Sequence, residues 1–230
     1  MQIDRSIHLI MILVVIIVAS SVVVWGQRVR DRLSANRRLG TGLLTLWLIY
    51  NVYYFLPSNF LWERSLPLQV CDVLALVAGG ILLRPFRIGR SILYFSAIPL
   101  ASQAILTPTG DQNPTEPRFW LYWALHAGII ACSLFDFAIN RYEPTFRDYV
   151  QVLIIDFAYV AIILPLNLGF GWNYGYLAPA SPQGRTIVDA LGPWPERVLL
   201  MVTLVAGLQF MMLLLWHSCY KIRAIKRTRN

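Results

Sequence analysis

The sequence predicts an all-α fold: a polytopic membrane helix bundle of seven transmembrane helices, with the amino terminus outside and the carboxyl terminus cytoplasmic. Three observations lead there. Hydrophobic residues make up 57% of the chain and charged ones 14%, whereas a soluble domain carries about 25% charged residues. Seven apolar runs recur, each near the ~20 residues that cross about 30 Å of hydrocarbon as a helix. Fifteen of the 20 Arg and Lys fall on alternate connections or in the tail, which marks that side as cytoplasmic. The length suits one bundle over 1–230.

The runs lie at about 7–25, 40–56, 66–83, 91–107, 119–139, 149–168 and 194–216. The first is almost purely Ile, Val and Leu, and its length makes it a membrane helix rather than a strand. Met1 to Arg5 carries little positive charge and no small-residue cleavage site follows, so the run reads as an anchor and not a signal peptide. Arg28, Arg30, Arg32, Arg37 and Arg38 precede the second run, which is rich in Trp and Tyr. Pro57 to Asn59 turns the chain into the third run, which ends before Arg84, Arg87 and Arg90. Pro99 sits within the fourth and should kink it. Residues 108–117 are a loop by their Pro, Gly and polar content. The long connection 169–193 separates the sixth and seventh runs, and a basic tail from Lys221 to Arg229 closes the sequence. The arrangement places the protein in a cell membrane, with a bacterial cytoplasmic membrane as the expected location.

The net charge of +8 does not indicate nucleic-acid binding, because the basic residues sit in short loops between apolar runs. Cys71, Cys132 and Cys219 occupy three separate segments with no CxxC spacing, and the three histidines are scattered. Neither a disulfide framework nor a metal site is expected, and no cofactor. A retinal protein is excluded, since Lys221 and Lys226 lie beyond the last run and no buried amine is available.

Polar side chains inside apolar runs are costly, so they point to a cavity, a partner or a chemical task. In the third run Gln69, Cys71 and Asp72 stand about one to two turns in. Counting about 1.5 Å per residue from the outer ends, Cys71 and Gln103 lie roughly 8 Å deep and His126 roughly 12 Å. Asn167 lies near the outer end of the sixth run, with Asn173 and Tyr174 just beyond. Five segments thus offer polar groups at one level, and a shared outer vestibule is the economical arrangement. At about 100° per residue Gln69 and Asp72 share a face near Ser65, with Cys71 turned nearly opposite Gln69. Cys71 therefore reads either as a nucleophile or as a small packing residue beside Ala75, Ala78 and Gly79. His126 reads either as a general base or as an interhelical hydrogen-bonder. Asp136 is expected at the inner interface, and Asp156, deeper at roughly 10 Å from the cytoplasmic boundary, beside a loop arginine or in a proton relay. The aromatic stretch 170–176 with Gly192 to Pro195 reads as a cap over the vestibule or as plain interfacial anchoring.

The motifs Leu66-Pro-Leu-Gln-Val-Cys-Asp72, Gln103-Ala-Ile-Leu-Thr-Pro108, Phe119 with His126, Asn167, Asn173-Tyr-Gly-Tyr-Leu177 and Leu191-Gly-Pro-Trp-Pro195 fall in an order that resembles the YwaF-like family of bacterial integral membrane proteins. The likeness covers about 64–216. That family is distantly similar to a eukaryotic membrane acyltransferase group that acylates ether phospholipids through a Cys, and to membrane hydrolases that use a Thr and a His. The resemblance implies His126 as the catalytic histidine and Cys71 as the matching cysteine. In the acyltransferase group the reactive Cys follows the proline directly and a His comes next; here those positions hold Leu68 and Gln69. Three functions follow as expectations. One is a lipid-directed acyltransferase or hydrolase with His126 and Cys71 catalytic and Gln69, Asp72, Gln103, Asn167, Asn173 and Tyr174 around the substrate. The others are a carrier for a small solute or protons along Asp72, His126 and Asp156, and a non-catalytic binder of a membrane lipid.

Overall fold

The computed structural model describes residues 4–108, 113–179 and 187–228. Among them every regular element is helical. The elements are α1 (Arg5–Arg28), α2 (Arg32–Phe55), α3 (Val70–Leu83), α4 (a continuous helical run over 87–106), α5 (Pro117–Ala138), α6 (Phe146–Phe170) and α7 (Glu196–Thr228). Two short 3-10 turns, Tyr174–Tyr176 and Ile187–Leu191, lie between α6 and α7. Parts of the expected loops 108–117 and 169–193, including Arg185, fall outside the described residues, as do the side chains of the basic tail.

Local chemistry sets the helix ends. Asp4 accepts from the backbone N–H of Ser6 and Ile7 at the start of α1, and Asp31 accepts from Ser34 at the start of α2. Those cap amides hold the exposed Asp4 carboxyl below the usual carboxylate range. The Asp31 cap explains why α2 begins eight residues before its apolar run, carrying Arg37 and Arg38 on helix rather than loop. Thr145 and Asp148 form a reciprocal capping box at α6, and Gly171 closes that helix at φ 70°. The third helix corrects the sequence reading. It starts at Val70, with Gln69 in extended geometry as its N-cap. Pro67 disfavours helical geometry at Leu66 before it, and the stretch 56–69 stays irregular.

Just before Pro99, α4 changes its hydrogen-bond register. Residues Leu93–Ala97 are wound as a π-helix, and the Ile98 N–H reaches back to the Leu93 carbonyl. Proline brings no N–H, so the preceding turn cannot complete an ordinary α ladder.

The core gathers around α5, whose Phe119, Trp123, Leu125, Ile129 and Phe135 are almost wholly enclosed. α1, α2, α3 and α4 pack on it. α1, α6 and α7 present broad apolar faces outward, with Ile17, Ile154, Ile162 and Leu199 each more than half exposed. Arg5–Arg28, Pro117–Ala138, Phe146–Phe170 and Glu196–Ser218 are long and apolar enough to cross a membrane; Val70–Leu83 is apolar but shorter. Exposed apolar faces on such helices are what hydrocarbon solvates, since buried backbone polar groups are already paired within each helix.

α2 and α3 meet most closely at two glycines. A Cβ on Gly40 would lie 2.7 Å from the Gly79 carbonyl oxygen, and one on Gly79 would lie 2.6 Å from the Leu44 side chain. Small residues permit that approach. Gly40→Ala is expected to cost about 1–3 kcal/mol by overpacking, read as a lower unfolding temperature in detergent. Gly42→Ala is the control: its Cβ would meet nothing within 4 Å, and Ala is the better helix former, so stability should hold or rise.

At the end of the bundle holding Arg87 and Arg90, ion pairs tie α4 to α5 and α6. Arg87 pairs with Asp148 at 2.6 Å, and Arg90 pairs with Asp136 at 2.9 Å. Asp136 is 2% exposed, so it is enclosed rather than interfacial. Burial raises the pKa of the loop residue Tyr142. It stays a neutral phenol that donates to Ser91 Oγ at 2.9 Å.

Candidate functional site

A cavity of about 780 Å³ opens between α2, α3, α4, α5, α6 and α7, with residues of 61–69, 171–177 and 188–191 also on its wall. Gln69, Cys71, Asp72, Gln103, His126 and Asn173 all contribute to its wall. Their convergence does not follow the helical wheel drawn from the sequence. Gln69 precedes the helix, Cys71 and Asp72 occupy its first turn, and Ser65 lies in the irregular stretch, where its hydroxyl accepts from the Leu61 N–H at 2.9 Å. Cys71 is therefore on the wall beside Asp72, not turned away. His126 stands nine residues into α5, about 14 Å from its start.

His126 is 3% exposed, and its Nδ1 lies 2.7 Å from the Tyr122 carbonyl oxygen one turn earlier. A carbonyl only accepts, so in the neutral ring Nδ1 carries the proton and Nε2 keeps its lone pair. The Tyr122 ring lies 4.2 Å from the imidazole and fixes its plane, while the Tyr122 hydroxyl donates to Ala104 O at 2.7 Å. Asp72 is 4% exposed, and its Oδ1 has no hydrogen-bond partner among the described residues. Cys71 is free and partly exposed. Gln103 donates to the Thr107 hydroxyl at 2.6 Å.

Two predicted site residues lie behind the wall. Asn167 is 1% exposed and grips Tyr174 twice: its Nδ2 donates to the Tyr174 carbonyl at 2.8 Å, and its Oδ1 accepts the Tyr174 N–H at 2.9 Å. The Tyr174 hydroxyl accepts from the Leu66 N–H at 3.0 Å and donates to the Trp62 carbonyl. Together they tie α6 to the segment before α3. Gln69 Oε1 accepts from the Gly175 N–H at 3.0 Å, Tyr159 donates to Leu68 O at 2.7 Å, and Asn173 Oδ1 accepts from the Ala178 N–H at 2.9 Å. The aromatic stretch thus folds over the cavity as a hydrogen-bonded cap. Gly175, at φ 65°, is required there: a Cβ would come within 2.9 Å of the Tyr159 hydroxyl.

Asn167→Ala is expected to leave a buried N–H and a buried carbonyl unpaired, at about 1–3 kcal/mol each. Unfolding in detergent should come earlier, and proteolysis within 171–179 should speed up.

Sequence reasoning did not single out Tyr50, Tyr54, Tyr122 or Tyr159, all on the cavity wall. The signal was present in part: Tyr50 and Tyr54 stand one helical turn apart on α2, with rings 4.9 Å apart. His8 sets its Nε2 2.9 Å from Ile105 O and tethers α1 to α4. Among the described residues no arginine is paired with Asp156; Gln209 Nε2 donates to it at 2.6 Å and Ser96 lies 3.3 Å away.

A family model described as the TMEM164 family matches residues 4–216. No curated protein and no solved structure matches the chain.

Proposed function

Since this chain belongs to the TMEM164 family of membrane proteins and carries multi-pass apolar helices, we propose that it acts on membrane lipid as an acyltransferase or hydrolase. The likeness to the YwaF-like family and its distant acyltransferase relatives is part of this reading. So are seven spans, an external amino terminus and a cavity open toward the outer leaflet. The observation that carries it is the tautomer of His126: an enclosed imidazole whose Nε2 keeps its lone pair, on the wall of a cavity that also holds a free thiol.

In the proposed reaction Nε2 takes the Cys71 proton as the sulfur attacks an ester carbonyl. The carbon–oxygen bond breaks, the departing alcohol receives the proton from His126, and the acyl group remains as a thioester. A second alcohol, or water, then attacks that thioester as His126 removes its proton; the carbon–sulfur bond breaks, the acyl group leaves on the new oxygen, and the proton returns from His126 to the Cys71 sulfur. The Gln103 and Asn173 carboxamides are the groups available to orient the carbonyl oxygen. Arg64, on the same wall, is a cation positioned for a lipid phosphate.

The test is labelling of the purified protein with a thioester or fluorophosphonate probe, with mass spectrometry of the modified residue. Modification at Cys71 that depends on His126 supports the reading. Labelling unchanged in both Cys71→Ala and His126→Ala removes it. Copurified lipid that stays unmodified on long incubation would turn the site into a binding pocket.

A further inference from the structure

Away from the His126 group, three polar side chains from three helices meet where α4 is wound as a π-helix. Ser96 lies within that π turn, Asp156 on α6 and Gln209 on α7. Ser96 and Gln209 are 1% and 0% exposed, while Asp156 reaches the cavity wall together with Ser96. Gln209 Nε2 lies 2.6 Å from Asp156 Oδ2 and 3.3 Å from Ser96 Oγ, and Ser96 Oγ lies 3.3 Å from both carboxylate oxygens.

The amide orientation is determined by that short contact, because only the NH2 group can face a carboxylate at hydrogen-bond distance. The other end, Gln209 Oε1, is then completely buried with no partner. The cluster has more acceptor oxygens than donors. It carries one negative charge, and no Arg, Lys or His is paired with it among the described residues. A small cation cancels that charge and takes its ligands from oxygens of the kinds gathered here. One carboxylate matches one positive charge, and hard cations take carboxylate, carbonyl and hydroxyl oxygens.

We propose that Asp156, Ser96 and Gln209 form a binding site for a monovalent metal cation, with Na+ as its probe, reached through the cavity. The site is independent of the lipid chemistry above, and the two are read by different measurements.

The experiment uses the full chain in detergent, with 22Na+ retention and thermal unfolding measured in NaCl against choline chloride at equal ionic strength. Saturable retention and a Na+-dependent rise in unfolding temperature are expected. Asp156→Asn, which keeps the shape and removes the charge, should cut retention at least tenfold and abolish the Na+-dependent rise. Ser96→Ala should weaken retention while leaving the chain folded. Wild-type protein that unfolds identically in NaCl and choline and retains no 22Na+ overturns the proposal. So does a response to pH alone, which would make the cluster a proton site. Retention that Asp156→Asn and Ser96→Ala both leave unchanged overturns it as well. If Asp156→Asn does not fold, the Ser96→Ala and wild-type measurements decide.

Discussion

His126→Ala should lower probe labelling at Cys71 by about 100-fold or more, since a positioned general base contributes about 10² to 10⁴. The argument rests on the ring's two nitrogens having different neighbours. Nδ1 is committed to the Tyr122 carbonyl at 2.7 Å, which leaves Nε2 as the atom that accepts a proton. His126→Gln keeps a donor near that carbonyl but supplies no comparable base, so it should label as poorly as His126→Ala while unfolding closer to wild type. Tyr122→Phe removes the hydroxyl bond to Ala104 and keeps the ring against the imidazole. It should lower labelling far less than either His126 change. A His126→Ala protein that labels at the wild-type rate would make the imidazole a structural hydrogen-bonder and nothing more.

Arg90→Ala is the change expected to destabilise the bundle most. Arg90 Nε spans both oxygens of Asp136 at 3.1 and 2.9 Å, and its Nη2 reaches the Asn140 carbonyl at 3.0 Å. Asn140 in turn donates to Asp136 and to Asn36 on α2, so one guanidinium secures the ends of three helices. Removing it strands a carboxylate that is 2% exposed, at a cost of about 3–5 kcal/mol. The double variant Arg90→Leu, Asp136→Asn removes the stranded charge and should recover much of that loss. Chemical or thermal unfolding in detergent reads both. Equal losses in the single and double variants would show that packing at this corner, and not the enclosed charge, governs its stability.

These two sites were legible in the sequence to different degrees. His126 stood out because a histidine within an apolar run is costly without a partner or a task, and Cys71, Gln103 and Asn173, which shared its expected level, line one cavity with it. Asn167 and Tyr174 met the same criterion of depth, yet they lie behind the wall. Depth along a helix says nothing about azimuth, and a polar pair can satisfy itself by clasping a loop. The third helix misled for a local reason: Pro67 ends helical geometry for the residue before it, so a wheel drawn from Leu66 onward assigns faces to residues that are not yet on a helix. Asp156 gave no hint of Gln209, which is separated from it by a long connection and lies on a run whose apolar character hides one carboxamide.

What the amino-acid order determined unaided was the class: a helical membrane protein, because long apolar runs can satisfy their backbone groups in hydrocarbon only as helices. Tertiary structure alone decided which polar side chains face one another. That depends on the π turn before Pro99, on the glycine contact that draws α2 onto α3, and on the hydrogen-bonded cap across 173–178. Each is a meeting of groups distant along the chain, and pairwise geometry of that kind leaves no periodic trace in composition or hydropathy.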